Sequence, residues 1–226
     1  MTIVANVGFR ILPAPKRPSA ALLKSFRGLA VANISDCMNR IFSATDLYPM
    51  HAGGQMLGVA LTVRVPPGDN LMVHKAIDIA QPGDVILVDA GGEVTHAIIG
   101  EIMSHHAASR GVLGMVIDGA IRDSGILARK KFPVYARGVT HRGPYKNGPG
   151  EIHVPISIGG MVVMPGDIIV GDDDGLLAIN PAEAAALAEA TRKKAKEEAV
   201  VMREVDKGTV NRAWVDKALR DKGCEY

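Results

Sequence analysis

The sequence predicts an α/β protein, a layered mixed-sheet domain with helices at its N- and C-terminal ends. Three observations carry that prediction. Strand-like apolar runs alternate with segments of helical period through the middle of the chain. Four short apolar runs then follow closely between residues 153 and 179. From residue 181 an Ala/Glu/Lys-rich stretch reads as a long helix.

Taken in order, residues 1–18 are expected to form an extended arm, because Pro13, Pro15 and Pro18 break any helix there. Ser19 is expected to cap a short helix through Arg27, and Ser35 another through Arg40. The run MLGVALTVRV, residues 56–65, reads as a strand closed by Pro66-Pro67-Gly68-Asp69, which leads into a helix over about 70–80. VILVD, residues 85–89, is the next strand. Between Thr95 and Arg110, Ala97, Ile98, Ile102, Met103 and Ala107 recur at helical spacing, so a helix is predicted there and Gly111 ends it. A strand over 112–118, a short helix near 124–130 and a strand over 133–138 follow, then the loop HRGPYKNGPGE. Strands are expected near 153–158, 161–164, 167–171 and 175–179. Asn180-Pro181 opens the terminal helix over 181–203, and a second covers 212–221. The chain thus divides into an arm, 1–18, an α/β domain, 19–180, and a C-terminal helical extension, 181–226. PGDVILVD at 82–89 is echoed by PGDIIVGD at 165–172, which reads as shared turn chemistry rather than a repeat architecture.

Composition bounds the function. With 47% apolar and 22% charged residues in 226, this is the balance of a globular protein that buries a substantial core. A net charge of +2 gives no reason to expect nucleic acid or a membrane surface as partner. The N-terminus lacks the apolar core of a signal peptide, since Asn6 and Arg10 interrupt it, so cytoplasm is expected. Two distant cysteines, Cys37 and Cys224, make neither a disulfide framework nor a zinc signature. His105 and His106 are neighbours that point about 100° apart on a helix, and the other histidines lack ligand spacing. Gly91-Gly92 matches neither a dinucleotide nor a phosphate-loop signature and reads as turn glycines. No serine sits in a GxSxG elbow, and Asp172-Asp173-Asp174-Gly175 reads as an acidic turn between strands.

The stretch with chemical promise is VLGMVIDGAIRDSG, residues 112–125, where a buried strand ends in Arg122-Asp123. One reading has Asp123 or Ser124 capping the helix that follows. The other notes that side chains at strand ends carry function in α/β proteins, and that Glu101 lies one strand–helix unit upstream.

Gly100-Glu101, twenty intervening residues and Arg122-Asp123 resemble the acidic-X20-Arg-Asp motif of the class II 4-hydroxy-4-methyl-2-oxoglutarate/4-carboxy-4-hydroxy-2-oxoadipate aldolases. These belong to the superfamily of the regulator of ribonuclease activity A, RraA. The resemblance continues through DGAIRDSGILARKKFPVYARGVTHRG, PGEIHVPISIGGMVVMPGDIIVGDDDG and VDKALRDKGCEY, covering most of the chain from about residue 20. The family commonly has aspartate where this chain has Glu101.

The resemblance implies an RraA-like fold and a divalent metal, magnesium or manganese, held by Asp123. It implies that Arg122 and the metal stabilise a pyruvate enolate as a 4-hydroxy-2-oxo acid is cleaved. Backbone N–H groups of Gly100, Glu101, Ile102 and Met103 are expected to receive the pyruvyl carboxylate. Glu101 is expected to position a water acting as base, with Glu198, or Glu197 beside it, reaching in from a neighbouring subunit of a trimer or dimer of trimers. Those glutamates also fit the solvated face of a long helix. Oxaloacetate decarboxylation is expected as a second activity. No Schiff base is required, and nothing local marks Lys75 or Lys130 as a desolvated amine. The alternative from another class is a non-catalytic regulator of a ribonuclease; retention of Asp123 and of the long tail favours the enzyme. A methyltransferase reading conflicts with the lack of a glycine-rich adenosylmethionine loop.

Overall fold

The structure, a computed structural model, describes residues 6–225. The first five residues of the expected arm and the final Tyr226 lie outside the described residues. The arm is not only extended: Phe9–Ile11 (β1) pairs in parallel with residues 150–152. Farther along the arm, the Arg17 guanidinium binds the buried carboxylate of Asp84. Ser19 Oγ accepts from Leu22 N–H at 3.2 Å and starts Ala20–Lys24 (α1).

The next helix, Val31–Cys37 (α2), begins four residues earlier than its expected Ser35 cap. Ser35 is interior, and Asn39 and Arg40, at φ 58° and 61°, end the helix in left-handed conformations. Tyr48–Pro49 (β2) and Met56–Arg64 (β3) follow, then Leu71–Ile79 (α3) and Asp84–Asp89 (β4).

The helix expected from Thr95 to Arg110 divides. Ala97–Ile99 (β5) is a buried strand and Glu101–Ser109 (α4) is the helix, with Gly100 between them. An apolar triplet is compatible with either period, and pairing with the next long strand decides it. That strand, Gly114–Ile121 (β6), runs three residues farther than expected and is buried throughout. Ser124–Leu127 (α5) is a single turn, and Val134–Val139 (β7) completes the run of parallel neighbours.

The strand expected over 153–158 forms only at Ile156–Ile158 (β9), while Gly150–Ile152 (β8) begins inside the stretch expected to be loop. His153, at φ 61°, and Pro155, which has no N–H, interrupt it. Met161–Val163 (β10) pairs with β9, and Ile168–Asp172 (β11) with Gly175–Ile179 (β12). Ala184–Asp206 (α6) and Ala213–Asp221 (α7) close the chain.

The main sheet has the order β1-β8-β3-β4-β6-β7-β2, with β11–β12 joined to β3 and β5 to β6. Side chains alternate across its centre. Ile86, Val88, Met115 and Ile117 face a cluster completed by Val73 and Ile77 of α3 and Met103 and Ala107 of α4. Val85, Leu87 and Val116 face the opposite cluster with Ile156, Ile158 and Val163 of the β9–β10 hairpin. A third cluster packs Phe26, Ile34 and Ala188 on Leu177 and Ile179. Each such fully buried aliphatic side chain contributes about 1.5–3 kcal/mol relative to exposure, so the centre of the sheet is a rigid base for what its strand ends carry.

The echoed PGD segments are matching turns. Gly83 and Gly166 adopt φ 94° and 90°. Asp84 and Asp167 each accept a backbone N–H three residues back, from Gln81 and Met164, at 2.8 Å. Gly91 and Gly92 form the turn after β4 at φ 70° and 73°. Asp172 serves the acidic turn, accepting from Asp174 N–H at 3.0 Å and from Val31 N–H at 2.8 Å.

Candidate active site

The end of β6 and the start of α4 meet. Asp123 occupies the left-handed region at φ 59°, a conformation that short polar side chains tolerate best among non-glycine residues. It precedes α5, yet its side chain forms no hydrogen bond to that helix. The capping reading is therefore corrected: Asp123 Oδ2 instead accepts the Glu101 N–H at 2.9 Å, across 22 residues of sequence, and caps α4. The left-handed backbone turns the carboxylate toward β5 and away from its own helix.

Gly100 permits this approach. A Cβ there would overlap Asp123 Oδ2 and come within 2.8 Å of Arg122 Cγ. Arg122 Nε stands 3.9 Å from Asp123 Oδ2, and both side chains remain partly open to solvent. The first turn of α4 adds donors, because the Ile102 and Met103 N–H groups precede any intrahelical partner.

These parts border a cavity of about 290 Å³, lined among others by Asn70, Gly100, Ile102, Arg122, Asp123 and Lys146. A wider cleft of about 500 Å³ shares Arg122 and Asp123 and continues over Arg129, Thr140 and His141. The Arg122-Asp123 pair is thus common to both openings.

Of the residues singled out from sequence, Gly100, Ile102, Met103, Arg122 and Asp123 come together at the cavity. Glu101 donates its backbone N–H to Asp123, and its carboxylate accepts from Lys130 Nζ at 2.8 Å. That bond also commits Lys130 to an ion pair. Glu198 is not brought to the site within one chain. It sits on α6, accepts from Asn33 Nδ2 and lies 3.3 Å from Lys194, with Glu197 exposed beside it.

Three further cavity residues, and the one that fixes their loop, escaped sequence reasoning. Asn70 is 1% exposed, and its Nδ2 donates to Ile98 O at 2.8 Å and to Met103 Sδ at 3.2 Å. Its Oδ1 is buried without a partner, as is His74 Nε2 one turn along α3. Burial, and secondarily the Lys146 ammonium, hold His74 below the usual imidazole pKa. Asp69, 4% exposed, accepts from Asn147 N–H at 2.6 Å, Gly148 N–H at 3.0 Å and Leu71 N–H at 2.9 Å. It ties the Lys146-bearing loop to the start of α3. The only local sequence signal was a polar pair before an apolar helix, which points to capping and says nothing of the distant loop.

A mixed sheet of this connectivity, with its polar pair at the end of a central strand, defines an RraA-like α/β protein. The family model described as Aldolase/RraA matches residues 31–178, and the chain belongs to the RraA-like family. A Halalkalibacterium halodurans protein named "Putative 4-hydroxy-4-methyl-2-oxoglutarate aldolase" is 40% identical over 199 residues, covering 87% of this chain and 95% of that one. An uncharacterized protein from Pseudomonas syringae pv. tomato shares the fold, with a TM-score of 0.77 at 24% identity, over 86% of this chain and 96% of its own. The RNA-processing inhibitor RraA from Thermus thermophilis superposes with a TM-score of 0.61 at 28% identity, over 66% of this chain and 92% of that one.

The donor set at the site suits one kind of cation. Among the described residues, no group of three His, Cys, Asp or Glu side chains converges on a point. Asp123 offers a partly exposed carboxylate with one oxygen engaged by Glu101 N–H. A hard divalent ion that keeps much of its water shell needs little more from protein.

Proposed function

We propose that this protein is a divalent-metal-dependent aldolase that cleaves 4-hydroxy-2-oxo acids of the 4-hydroxy-4-methyl-2-oxoglutarate type to pyruvate and a second oxo acid. The observation that carries this reading is the contact between Asp123 and the N-terminus of α4 at a cavity that Arg122 also lines. The 40% identical relative named as an aldolase supports the same class of reaction.

Asp123 would hold a magnesium or manganese ion, which when bound supplies a Lewis acid for the 2-oxo group. Arg122 presents a fixed positive charge to the keto oxygen as the C3–C4 bond breaks and negative charge develops. The Ile102 and Met103 N–H groups at the positive end of α4 receive the pyruvyl carboxylate. Glu101, held by Lys130, orients the acceptor for the C4 hydroxyl proton through water. Glu198, or Glu197, is offered to the site of a partner subunit, in a trimer or a dimer of trimers. Oxaloacetate loses carbon dioxide through the same developing charge, so decarboxylation follows as a second activity.

The alternative, a non-catalytic ribonuclease regulator, draws on the T. thermophilis RraA structure. The charged cavity at Arg122-Asp123 favours catalysis. Chelator-treated protein is assayed for pyruvate release from oxaloacetate and from 4-hydroxy-4-methyl-2-oxoglutarate, before and after magnesium or manganese is restored. Activity is expected only with metal. No turnover of either acid with any divalent ion, together with inhibition of a ribonuclease, would reverse the choice.

A further inference from the structure

We propose that residues 6–17 form a proton-sensitive strap: His153 lies beneath it, and a proton on that imidazole releases the strap from the body of the domain. The device stands apart from the reaction proposed above.

The strap is fastened at two points. β1 lies along β8, where Gly150 N–H donates to Gly8 O at 2.9 Å and Leu12 N–H to Ile152 O at 3.1 Å. Arg10 Nε adds an ion pair with Glu151 Oε1 at 2.7 Å. Farther on, Arg17 binds Asp84 and donates to Pro82 O at 3.2 Å. Between these points the strap passes His153, the residue that follows β8. Ala14, Pro15 and Arg17 close a cavity of about 30 Å³ that His153 lines from the other side, room for about one water molecule.

Few charges border this cavity. Asp84 enters from β4 and Arg17 from the strap, while β3 and the end of α3 present only uncharged side chains. Both oxygens of Asp84 are engaged, Oδ1 by Arg17 and Oδ2 by Gln81 N–H at 2.8 Å. His153 Nδ1 is buried with no partner. A neutral imidazole can leave that nitrogen bare, but an imidazolium carries hydrogen on both. Protonation therefore puts an unsatisfied N–H and a second cation into one small cavity with Arg17, which has no space to hydrate them. Burial accordingly holds the His153 pKa below the ordinary 6.5, with Asp84 opposing. Lifting the strap withdraws Arg17, frees Asp84 Oδ1 for the imidazolium and admits water. The proton thus binds the open strap in preference to the closed one. Release uncovers the outer edge of β8, which only β1 covers on that side.

The test follows amide hydrogen exchange of the full chain at pH 7.5 and 5.5, with rates corrected for the intrinsic pH dependence of exchange. Proton uptake raises the open fraction by up to about tenfold per pH unit below 6.5. Protection of the Leu12 and Gly150 amides should therefore fall about tenfold across this interval, while Leu87 and Val116 at the sheet centre hold within about twofold. His153→Asn tolerates the left-handed backbone at φ 61° and takes up no proton, so its two strap amides should be equally protected at both pH values. Three results would overturn the strap: unchanged protection in the wild type, an equal fall in His153→Asn, or a fall shared with the sheet centre. If the asparagine variant does not fold, His153→Gly takes its place, since glycine accepts the same backbone angle.

Arg17→Gln supplies an independent arm. Without the competing cation, Asp84 is free to pair with the imidazolium while the strap has lost its second fastening. Its strap amides should be less protected than wild type at pH 7.5 and change less with pH. A wild-type response in this variant overturns the competition for Asp84.

Discussion

Gly100→Ala places one methyl group where the proposed reaction is assembled. The added Cβ overlaps Asp123 Oδ2, lies 2.8 Å from Arg122 Cγ and 3.2 Å from Arg122 Nε. Ordinary contact begins at 3.4 Å, so Arg122 must retreat by 3.4 − 2.8 = 0.6 Å and Asp123 by more. Both are partly solvent-exposed side chains rather than backbone, so they can swing outward without disturbing the sheet. The stability cost is then the lost hydrogen bond to Glu101 N–H, about 0.5–1.5 kcal/mol, plus on the order of 0.5–1 kcal/mol for exchanging glycine for alanine at a helix N-cap. A total of about 1–2.5 kcal/mol shifts the melting temperature of a chain this size by only several degrees. Turnover should suffer far more, because a catalytic pair misplaced by about 1 Å loses on the order of a hundredfold. Urea unfolding gives the first quantity and a coupled pyruvate assay with magnesium gives the second. A variant within about threefold of wild-type turnover would refute the placement of the reaction at this contact.

Two other outcomes follow from the same geometry. Asp123→Asn keeps an oxygen to cap α4 and a side chain that tolerates φ 59°, so its unfolding midpoint should stay close to wild type. Its metal-dependent pyruvate release should fall at least about a hundredfold, since the charge that holds the cation is gone; full turnover would remove Asp123 from the metal site. The second concerns His153, whose pKa burial pushes below the ordinary 6.5, with Asp84 opposing. The unfolded chain therefore binds the proton more readily, and the stability contributed by neutral His153 is complete above pH 6.5 and lost as pH falls toward its folded value. Melting temperatures at pH 7.5 and 5.5 should differ less in His153→Asn than in wild type, and an equal difference would show that this histidine does not contribute.

Much of the sheet was readable because buried parallel strands are continuous apolar runs. The residues Val85 to Asp89 and Val116 to Asp118 need no long-range information to be recognised. Ala97–Ile99 was read as helix because three apolar residues carry no period of their own, and only hydrogen bonding to β6 makes them a strand. The site was half legible for a related reason. Arg122, Asp123 and Gly100 stand out by type and spacing, but which helix Asp123 caps depends on a backbone angle that sequence does not display. Asn70 and Lys146 lie 76 positions apart, and their shared cavity depends on loop anchoring by a carboxylate that reads as an ordinary turn residue. Glu101 opens α4 rather than lying inside the helix expected from Thr95, and its side chain is directed by Lys130, a partner no motif contains.

The grip of Asp69 on the loop has a consequence for how such a protein can diversify. It acts on main-chain N–H groups of Asn147 and Gly148, so it is indifferent to the side chains displayed just before them. The exposed Lys146 side chain can be exchanged while the clasp, α3 and the sheet stay as they are. The fold thereby separates a position that faces the cavity from those that keep the cavity standing. A library confined to that position would vary the cavity lining at little expense to folding.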